Sequence, residues 1–346
     1  MSKTRVGIIN VTGYAGVELA RLLCQHPGVE LVSVTGRSAA GQPLGEVFPH
    51  LMELGLTVSA ELGEVDLAFS AMPHKESAEA IIPLIRRGVK VIDISADFRL
   101  KDAALYPEWY GFSHPAPELL ETAAYGLPER HRSEIIAADL VANPGCYPTS
   151  AILALAPAIQ AGFIEPEVII DSKSGVSGAG RTLSLGSHFA EANEDVAAYA
   201  LAGHRHLPEI TQELSLVRPG TGVTATFVPH LVPMTRGILT TCYAKLVPGK
   251  VSLDKGGEEQ VRLLYLTVYE DERFVRVAKA PPHTKQTWGS NVCLVYPTID
   301  VRTGRLVVVS CLDNLVKGAA GQAIQNMNLM LGLPEDTGLE APAVYP

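Results

Sequence analysis

The stretch Asn10-Val11-Thr12-Gly13-Tyr14-Ala15-Gly16 constrains this chain more than any other. It follows a β-branched run, Val6 to Asn10, and leads into Gly16 to His26, where Val17, Ala20 and Leu23 or Cys24 recur at helical spacing. A strand, a glycine turn and a helix N-terminus in that order are what a pyrophosphate site requires. Backbone N–H groups and the positive end of the helix dipole face the anion, and glycine admits its close approach. Thr12, Gly13, Tyr14, Ala15 and Gly16 are therefore the candidate dinucleotide contacts. The spacing is that of Gly-x-x-Gly-x-x-Gly with Asn10 in the first glycine's place, so a plain tight turn is the competing reading. At the end of the next strand-like run, Glu30 to Thr35, NAD enzymes commonly carry a carboxylate for the ribose 2′-hydroxyl. Here Gly36-Arg37-Ser38 follows instead. Arg37 and Ser38 suit a 2′-phosphate by charge and hydrogen bonding, so NADP is expected rather than NAD; the bland alternative is a solvated surface arginine.

The rest of the first hundred residues repeats the alternation, with strands expected at Asp66 to Ala71 and Val89 to Ser95 and a helix at Glu76 to Arg87. That is the pattern of a doubly wound parallel sheet. After residue 150 the runs lengthen: Val168 to Asp171, Val223 to Val228, Gly237 to Val247, Asn291 to Val301 and Leu306 to Leu312. Several alternate, as in an antiparallel sheet covered on one face. A last helix is expected over Leu315 to Leu331, packing back on the first domain. The fold class is thus α/β, a Rossmann-type parallel sheet plus an α+β domain with a mainly antiparallel sheet. The domains are 1–147, 148–312 and a C-terminal helix in 313–346. At 346 residues the chain exceeds what one core usually spans. A net charge of -9 argues against nucleic acid or an anionic membrane as partner and favours a small molecule. Five cysteines without a Cys-x-x-Cys pair indicate neither a disulfide framework nor a zinc cluster. With no signal-peptide or membrane-spanning run, a cytoplasmic protein with reduced thiols and no metal is expected.

Asn143-Pro144-Gly145-Cys146-Tyr147-Pro148-Thr149 stands between a strand-like Leu140 to Ala142 and an apolar helix expected from about Pro148. Proline fits the first helical turn, which puts Cys146 at a helix N-terminus, where the dipole favours a thiolate. A lone cysteine is more often inert packing, the reading given to Cys24, Cys242, Cys293 and Cys311. Pro157 predicts a kink or an early helix end. Further on, Gly203-His204-Arg205-His206-Leu207-Pro208 opens another helix-like stretch. Imidazoles at i and i+2 diverge, so one catalytic acid–base with one structural partner fits better than a metal pair. Ser172-Lys173-Ser174-Gly175-Val176-Ser177-Gly178-Ala179-Gly180-Arg181 is a glycine and serine run bracketed by cations, able to wrap an anion or simply to be a mobile loop.

The residues around Cys146 resemble the cysteine signature of the N-acetyl-gamma-glutamyl-phosphate reductase family, type 1 branch. Similar segments are Ser95 to Arg99, Tyr125 to Glu129, Ser174 to Arg181, Gly203 to Ile210, Pro229 to Gly237 and Asp313 to Asn328, in the expected order. Asn10, in place of the usual fingerprint glycine, and Ser150, where the family tends to have Gly or Ala, are departures. The resemblance implies a two-domain fold like glyceraldehyde-3-phosphate and aspartate-semialdehyde dehydrogenases. It also implies NADPH-dependent reduction of an acyl phosphate through a thioester on Cys146, a place in arginine biosynthesis, and a homodimer or homotetramer. His206, in preference to His204, is then the acid–base. Lys173 and Arg181 with Ser174 and Ser177 steady the phosphate, and Asn314 is a candidate for the nicotinamide amide or, alternatively, a helix cap. Arg99 and Arg236 are candidate carboxylate clamps or else structural ion-pair partners. The rival readings are the reductase for the one-carbon-longer aminoadipyl phosphate, a cysteine hydrolase, which needs no dinucleotide turn, and a non-catalytic NADP-binding regulator.

Overall fold

The computed structural model describes residues 3–346. The chain divides into two compact units, one of the residues up to Gly145 with Ala319–Ala341 and the other of Cys146–Gly318 with Pro342–Pro346.

The first unit is built on seven strands: β1 (Thr4–Ile9), β2 (Val29–Thr35), β3 (Val58–Ser59), β4 (Leu67–Ser70), β5 (Lys90–Asp93), β6 (Ala124–Tyr125) and β7 (Leu140–Ala142). Their order is β3-β2-β1-β4-β5-β7-β6, every pair parallel. The strand order reverses between β1 and β4, the place where open α/β sheets bind ligands beyond the carboxyl ends of their strands. Central strands are buried from end to end, as Leu67–Ser70 is, because helices cover the sheet. The helix Glu76–Ile85 presents Ala78, Ile81 and Ile82 to a core that includes Ala68, Val91, Phe98, Tyr106 and Leu120. The helix Gly321–Met330 is buried at every position and belongs to this unit, with Gln322 Nε2 and Asn326 Nδ2 donating to the Gly126 carbonyl.

The second unit holds β8 (Ile164–Gly175), β9 (Ala197–Ala198), β10 (Thr224–Val232), β11 (Ile238–Leu246), β12 (Val275–Val277), β13 (Cys293–Asp300) and β14 (Arg305–Leu312). The order is β12-β13-β14-β11-β8-β10-β9. The sheet is mixed: β8 with β10 and β12 with β13 are parallel, and the remaining pairs are antiparallel. Strict alternation of buried and half-buried residues along β13 marks a sheet with one covered face. The apolar helix Cys146–Gln160 covers it, running through Pro157 instead of ending there. Ser150 lies inside this packing, where its hydroxyl meets that of Ser310 at 2.5 Å, so the polar group is satisfied.

The final helix differs from the expected continuous Leu315 to Leu331. Val316–Ala320 is a π-helical turn and the α-helix begins only at Gly321.

Candidate active site

The candidate residues fall into two sets, one in each unit. In the first, the turn after β1 carries Asn10 at φ 66, the left-handed region that glycine ordinarily supplies. Asparagine tolerates it, and its side chain fixes it: Nδ2 donates to the Ala71 carbonyl at 2.8 Å and Oδ1 accepts from Thr12 Oγ1 at 3.2 Å. The departure at Asn10 therefore preserves the turn. Gly13 precedes the helix Tyr14–Leu23, whose first turn has neither a side-chain cap nor an acidic residue, leaving its N–H groups for an anion. Gly16 is needed for packing, since a Cβ there would collide with Asn10 O and stand 2.7 Å from Val11 Cα. Arg37 and Ser38 are exposed just past β2, and Arg37 pairs with Glu76 at 2.7 Å with its side chain 80% exposed. These features fit a dinucleotide phosphate.

Arg99 takes a position that sequence left open. It is buried, and it donates through Nε to Asn143 O at 2.8 Å and through Nη2 to Ile94 O at 2.7 Å. Asn143 is held further by Asn326 Nδ2 at 3.1 Å and by its own donation to Ala319 O at 3.1 Å. The chain is thus tied down three residues before Cys146. Beside Arg99, Asp97 receives the N–H groups of Lys75 and Ala78 and so caps the helix Glu76–Ile85. Burial, with Asp93 nearby, raises Asp97 to about 7.

In the second unit Cys146 is the first residue of its helix, two residues earlier than the proline suggested, and is half-buried. Cys24, by contrast, is exposed and not packed as expected; Cys242, Cys293 and Cys311 are buried. Burial pushes the Cys311 thiol up to about 12 and raises Cys242 further. Beside Cys146, Tyr147 forms an aromatic cage with His204, His206 and Phe227 at ring separations of 5.7, 5.9 and 5.4 Å. Its hydroxyl meets that of Tyr199 at 3.0 Å. Burial holds Tyr199 up at about 12, and a charge on Cys146 adds to the shift.

His204 accepts the His206 N–H through Nδ1 at 3.1 Å, and desolvation, then Arg205, lowers it to about 4. It is a neutral ring that supports the other. His206 lies at the N-cap of the helix Leu207–Val217.

The serine and glycine run ends β8 and becomes the turn Val176–Ala179. Ser174 and Ser177 are buried. Main-chain bonds from Gly175, Val176 and Ser177 to Gly237, Met234 and Thr235 lay this run against the Arg236 loop. A Cβ on Gly175 would come within 2.8 Å of Arg236 N. Asn314 joins them, accepting from Gly237 N at 2.7 Å and donating to Ser177 Oγ at 3.0 Å. The capping group of this turn is Asp313, whose Oδ1 accepts from Leu315 N and Val316 N. Lys173 does not join the cluster. Neighbouring strand residues face opposite ways, so with Ser172 and Ser174 buried it turns to the other face and pairs with Asp171 at 2.9 Å. Arg181 is exposed beyond Gly180. Tyr147, Tyr199, Asp313 and Gly318 escaped sequence reasoning. Their signal was place alone: Tyr147 inside the cysteine signature, and Asp313 and Gly318 inside the segment Asp313 to Asn328.

Among the described residues no group of three or more His, Cys, Asp or Glu side chains is placed to hold a metal, and no helix is long and apolar enough to cross a membrane.

Comparison with known proteins now adds to this geometry. Residues 5–138 match the family described as semialdehyde dehydrogenase, NAD binding domain, and residues 146–314 match semialdehyde dehydrogenase, dimerisation domain. Among solved structures, aspartate semialdehyde dehydrogenase II from Vibrio cholerae aligns with a TM-score of 0.70 at 15% identity, covering 96% of this chain and 99% of that one. The Candida albicans aspartate semialdehyde dehydrogenase, solved with NADP, has a TM-score of 0.67 at 14% identity over 95% and 99%. These share the fold. An N-acetyl-gamma-glutamyl-phosphate reductase from Dehalococcoides mccartyi is 58% identical over all of both chains, and one from Pelotomaculum thermopropionicum is 53% identical over 99% of each. At that identity and coverage the chain belongs to the N-acetyl-gamma-glutamyl-phosphate reductase family of oxidoreductases.

Proposed function

We propose that the chain reduces N-acetyl-gamma-glutamyl phosphate to N-acetylglutamate semialdehyde, releasing phosphate, with Cys146 as the covalent nucleophile and NADPH as the reductant, in arginine biosynthesis. The observation that carries the chemistry is the cage beside Cys146: a thiol on the first residue of a helix, whose neighbour Tyr147 packs against His204 and His206.

A carboxylate derivative resists hydride until it is activated, and a thioester is more electrophilic than an oxygen ester because sulfur donates resonance poorly. The Cys146 thiol gives its proton to His206 as the sulfur forms a bond to the acyl carbon, and the bond from that carbon to the phosphate oxygen breaks, the phosphate taking its proton from solvent. Ser174, Ser177 and Arg181 steady the departing phosphate. NADPH, when bound, supplies the hydride that turns the thioester into a thiohemiacetal. His206 gives a proton to the oxyanion, which backbone N–H groups at the start of the Cys146 helix stabilise. On collapse the carbon–sulfur bond breaks, the aldehyde leaves and the proton returns to His206. His204, lowered to about 4 by desolvation, is neutral above that pH and fits the supporting role. Arg236 is the proposed carboxylate clamp, since Arg99 is occupied with two carbonyls.

Thr12 to Gly16 are proposed to hold the pyrophosphate and Arg37 with Ser38 the 2′-phosphate. No carboxylate stands at the end of β2, which supports NADP over NAD. A homodimer or homotetramer is proposed from the dimerisation-domain match and from Leu183, Leu185, Phe189 and Leu201, apolar side chains left exposed in one segment. Five free thiols suit a reducing compartment and support cytoplasmic residence.

The test is the reverse reaction: protein, NADP, phosphate and either N-acetylglutamate semialdehyde or its one-carbon-longer homologue, followed by reduced-nicotinamide absorbance. The shorter aldehyde is expected to turn over faster, and Cys146→Ser is expected to lose about 1,000-fold or more in turnover while still binding NADP. An active serine variant sinks the thioester, and preference for the longer aldehyde sinks the substrate.

A further inference from the structure

The π-turn Val316–Ala320 lies directly on the nucleophile. A Cβ added to Gly318 would stand 2.7 Å from Cys146 Cβ and 3.3 Å from Cys146 Cα. Non-bonded carbons need about 3.5 Å, so even one methyl group there requires a displacement of most of an ångström. The turn is itself fixed. Gly318 N donates to Asp313 O at 2.9 Å, the five-residue reach of a π-turn, and Val316 N donates to the same carbonyl at 3.2 Å.

Asp313 is fully buried and serves more than this turn. Its Oδ1 takes the N–H groups of Leu315 and Val316, and its Oδ2 takes that of Gly289 at 2.7 Å and lies 3.6 Å from Arg236 Nε. The adjacent Asn314 holds Gly237 N and Ser177 Oγ. One turn of six residues therefore touches the nucleophile at one end and the proposed carboxylate and phosphate groups at the other.

We propose that Gly318 and Asp313 are positioning residues: the Asp313–Gly318 turn sets where the Cys146 sulfur stands relative to Arg236 and Ser177, and so where the acyl carbon meets the sulfur. The proposal rests on Cys146 being the nucleophile. A helical turn of ordinary pitch would spread these contacts differently, which gives the π-geometry a use. A Gly318 Cβ would press on Cys146 Cβ and Cα, and more lightly on Asp313 O at 3.3 Å, whereas Asp313 also faces the guanidinium through Oδ2, so the two substitutions are expected to separate kinetically.

The test compares Gly318→Ala and Asp313→Asn with the unaltered enzyme and with Cys146→Ser. For Gly318→Ala, kcat is expected to fall about 100-fold, as a misplacement near 1 Å does, with KM for the semialdehyde within about twofold. The rate of Cys146 alkylation by iodoacetamide, followed against pH, is expected to change its profile; a change of stability alone leaves that profile alone. Asp313→Asn keeps one of the two main-chain acceptors, gives up either the Gly289 bond or the Leu315 and Val316 bonds, and removes the charge beside Arg236, so KM is expected to rise about tenfold with a smaller change in kcat. If Gly318→Ala does not fold, the KM against kcat split of Asp313→Asn decides. Inactive Cys146→Ser together with unchanged kinetics and alkylation in Gly318→Ala, or with unchanged kinetics in Asp313→Asn, overturns the proposal. An active Cys146→Ser instead overturns the nucleophile on which it rests.

Discussion

The candidate nucleotide turn and the thiol site are made of different material. The turn occupies seven consecutive residues and consists of main-chain conformation: a left-handed Asn10, an uncapped helix start after Gly13 and a Gly16 pressed against the Asn10 carbonyl. The thiol site gathers Cys146, Ser174, Ser177, His204, His206, Arg236 and the Asp313–Gly318 turn, and its geometry lives in side-chain contacts between distant segments. The lesson is that a site written in backbone angles tolerates a change of letter if the angle survives. A site written in contacts fails wherever a single atom intrudes.

The largest expected effect tests the tight side of the turn. Gly16→Ala is expected to weaken NADP binding about 100-fold, because helix and strand must part to admit the methyl group, whereas Gly13→Ala, whose nearest neighbour stands 3.6 Å away, is expected to cost less than about tenfold. Calorimetric titration of both variants checks this, and equal losses would erase the distinction between packing and cradle. A smaller effect, about tenfold, is expected for NADP binding in Arg37→Ala, from one lost charge-assisted contact at an exposed site. NAD binding is expected to stay within about twofold, and a parallel fall for both cofactors would move the 2′-phosphate elsewhere.

The smallest effect concerns the thiol site. His204 falls from 6.5 to about 4 on folding, so between those values the unfolded chain binds the extra proton. Its contribution is present above pH 6.5 and is lost as pH falls toward 4. Against His204→Gln, the unaltered protein is expected to gain stability across that window, on the order of 1 kcal/mol after allowance for partial exposure. Urea unfolding at several pH values measures it, and a constant difference removes the buried neutral imidazole. Asp97, raised to about 7, slopes the other way but is common to both proteins and cancels.

The alternation of Val6–Asn10, Glu30–Thr35 and Asp66–Ala71 with helical spacing was enough to read the parallel sheet, because strands buried on both faces leave continuous apolar runs. The long strands of the second sheet were legible for the complementary reason, their two-residue alternation. Two-residue strands such as Ala124–Tyr125 and Ala197–Ala198 left no period to detect. The parallel pairing of β8 with β10 was also hidden, since alternation reports a covered face and not a neighbour's direction. Within the thiol site, local chemistry marked Cys146 and the two histidines. Lys173 misled because its charge was visible while its strand phase was not. Asp313 and Gly318 were silent because their contacts with Cys146, Gly289 and Arg236 join residues far apart in sequence. The π-turn at Val316–Ala320 was equally unannounced by its composition.

Asn10 has a bearing on how such proteins are found and how firmly they hold their shape. A search that demands glycine at that position would discard this chain, although the dihedral requirement is met. The substitution also brings something a hydrogen atom has no means to provide: an amide that latches the ends of two neighbouring strands while leaving the denatured chain fewer conformations to give up. The turn proposed to receive the cofactor is thereby stiffened before any ligand arrives.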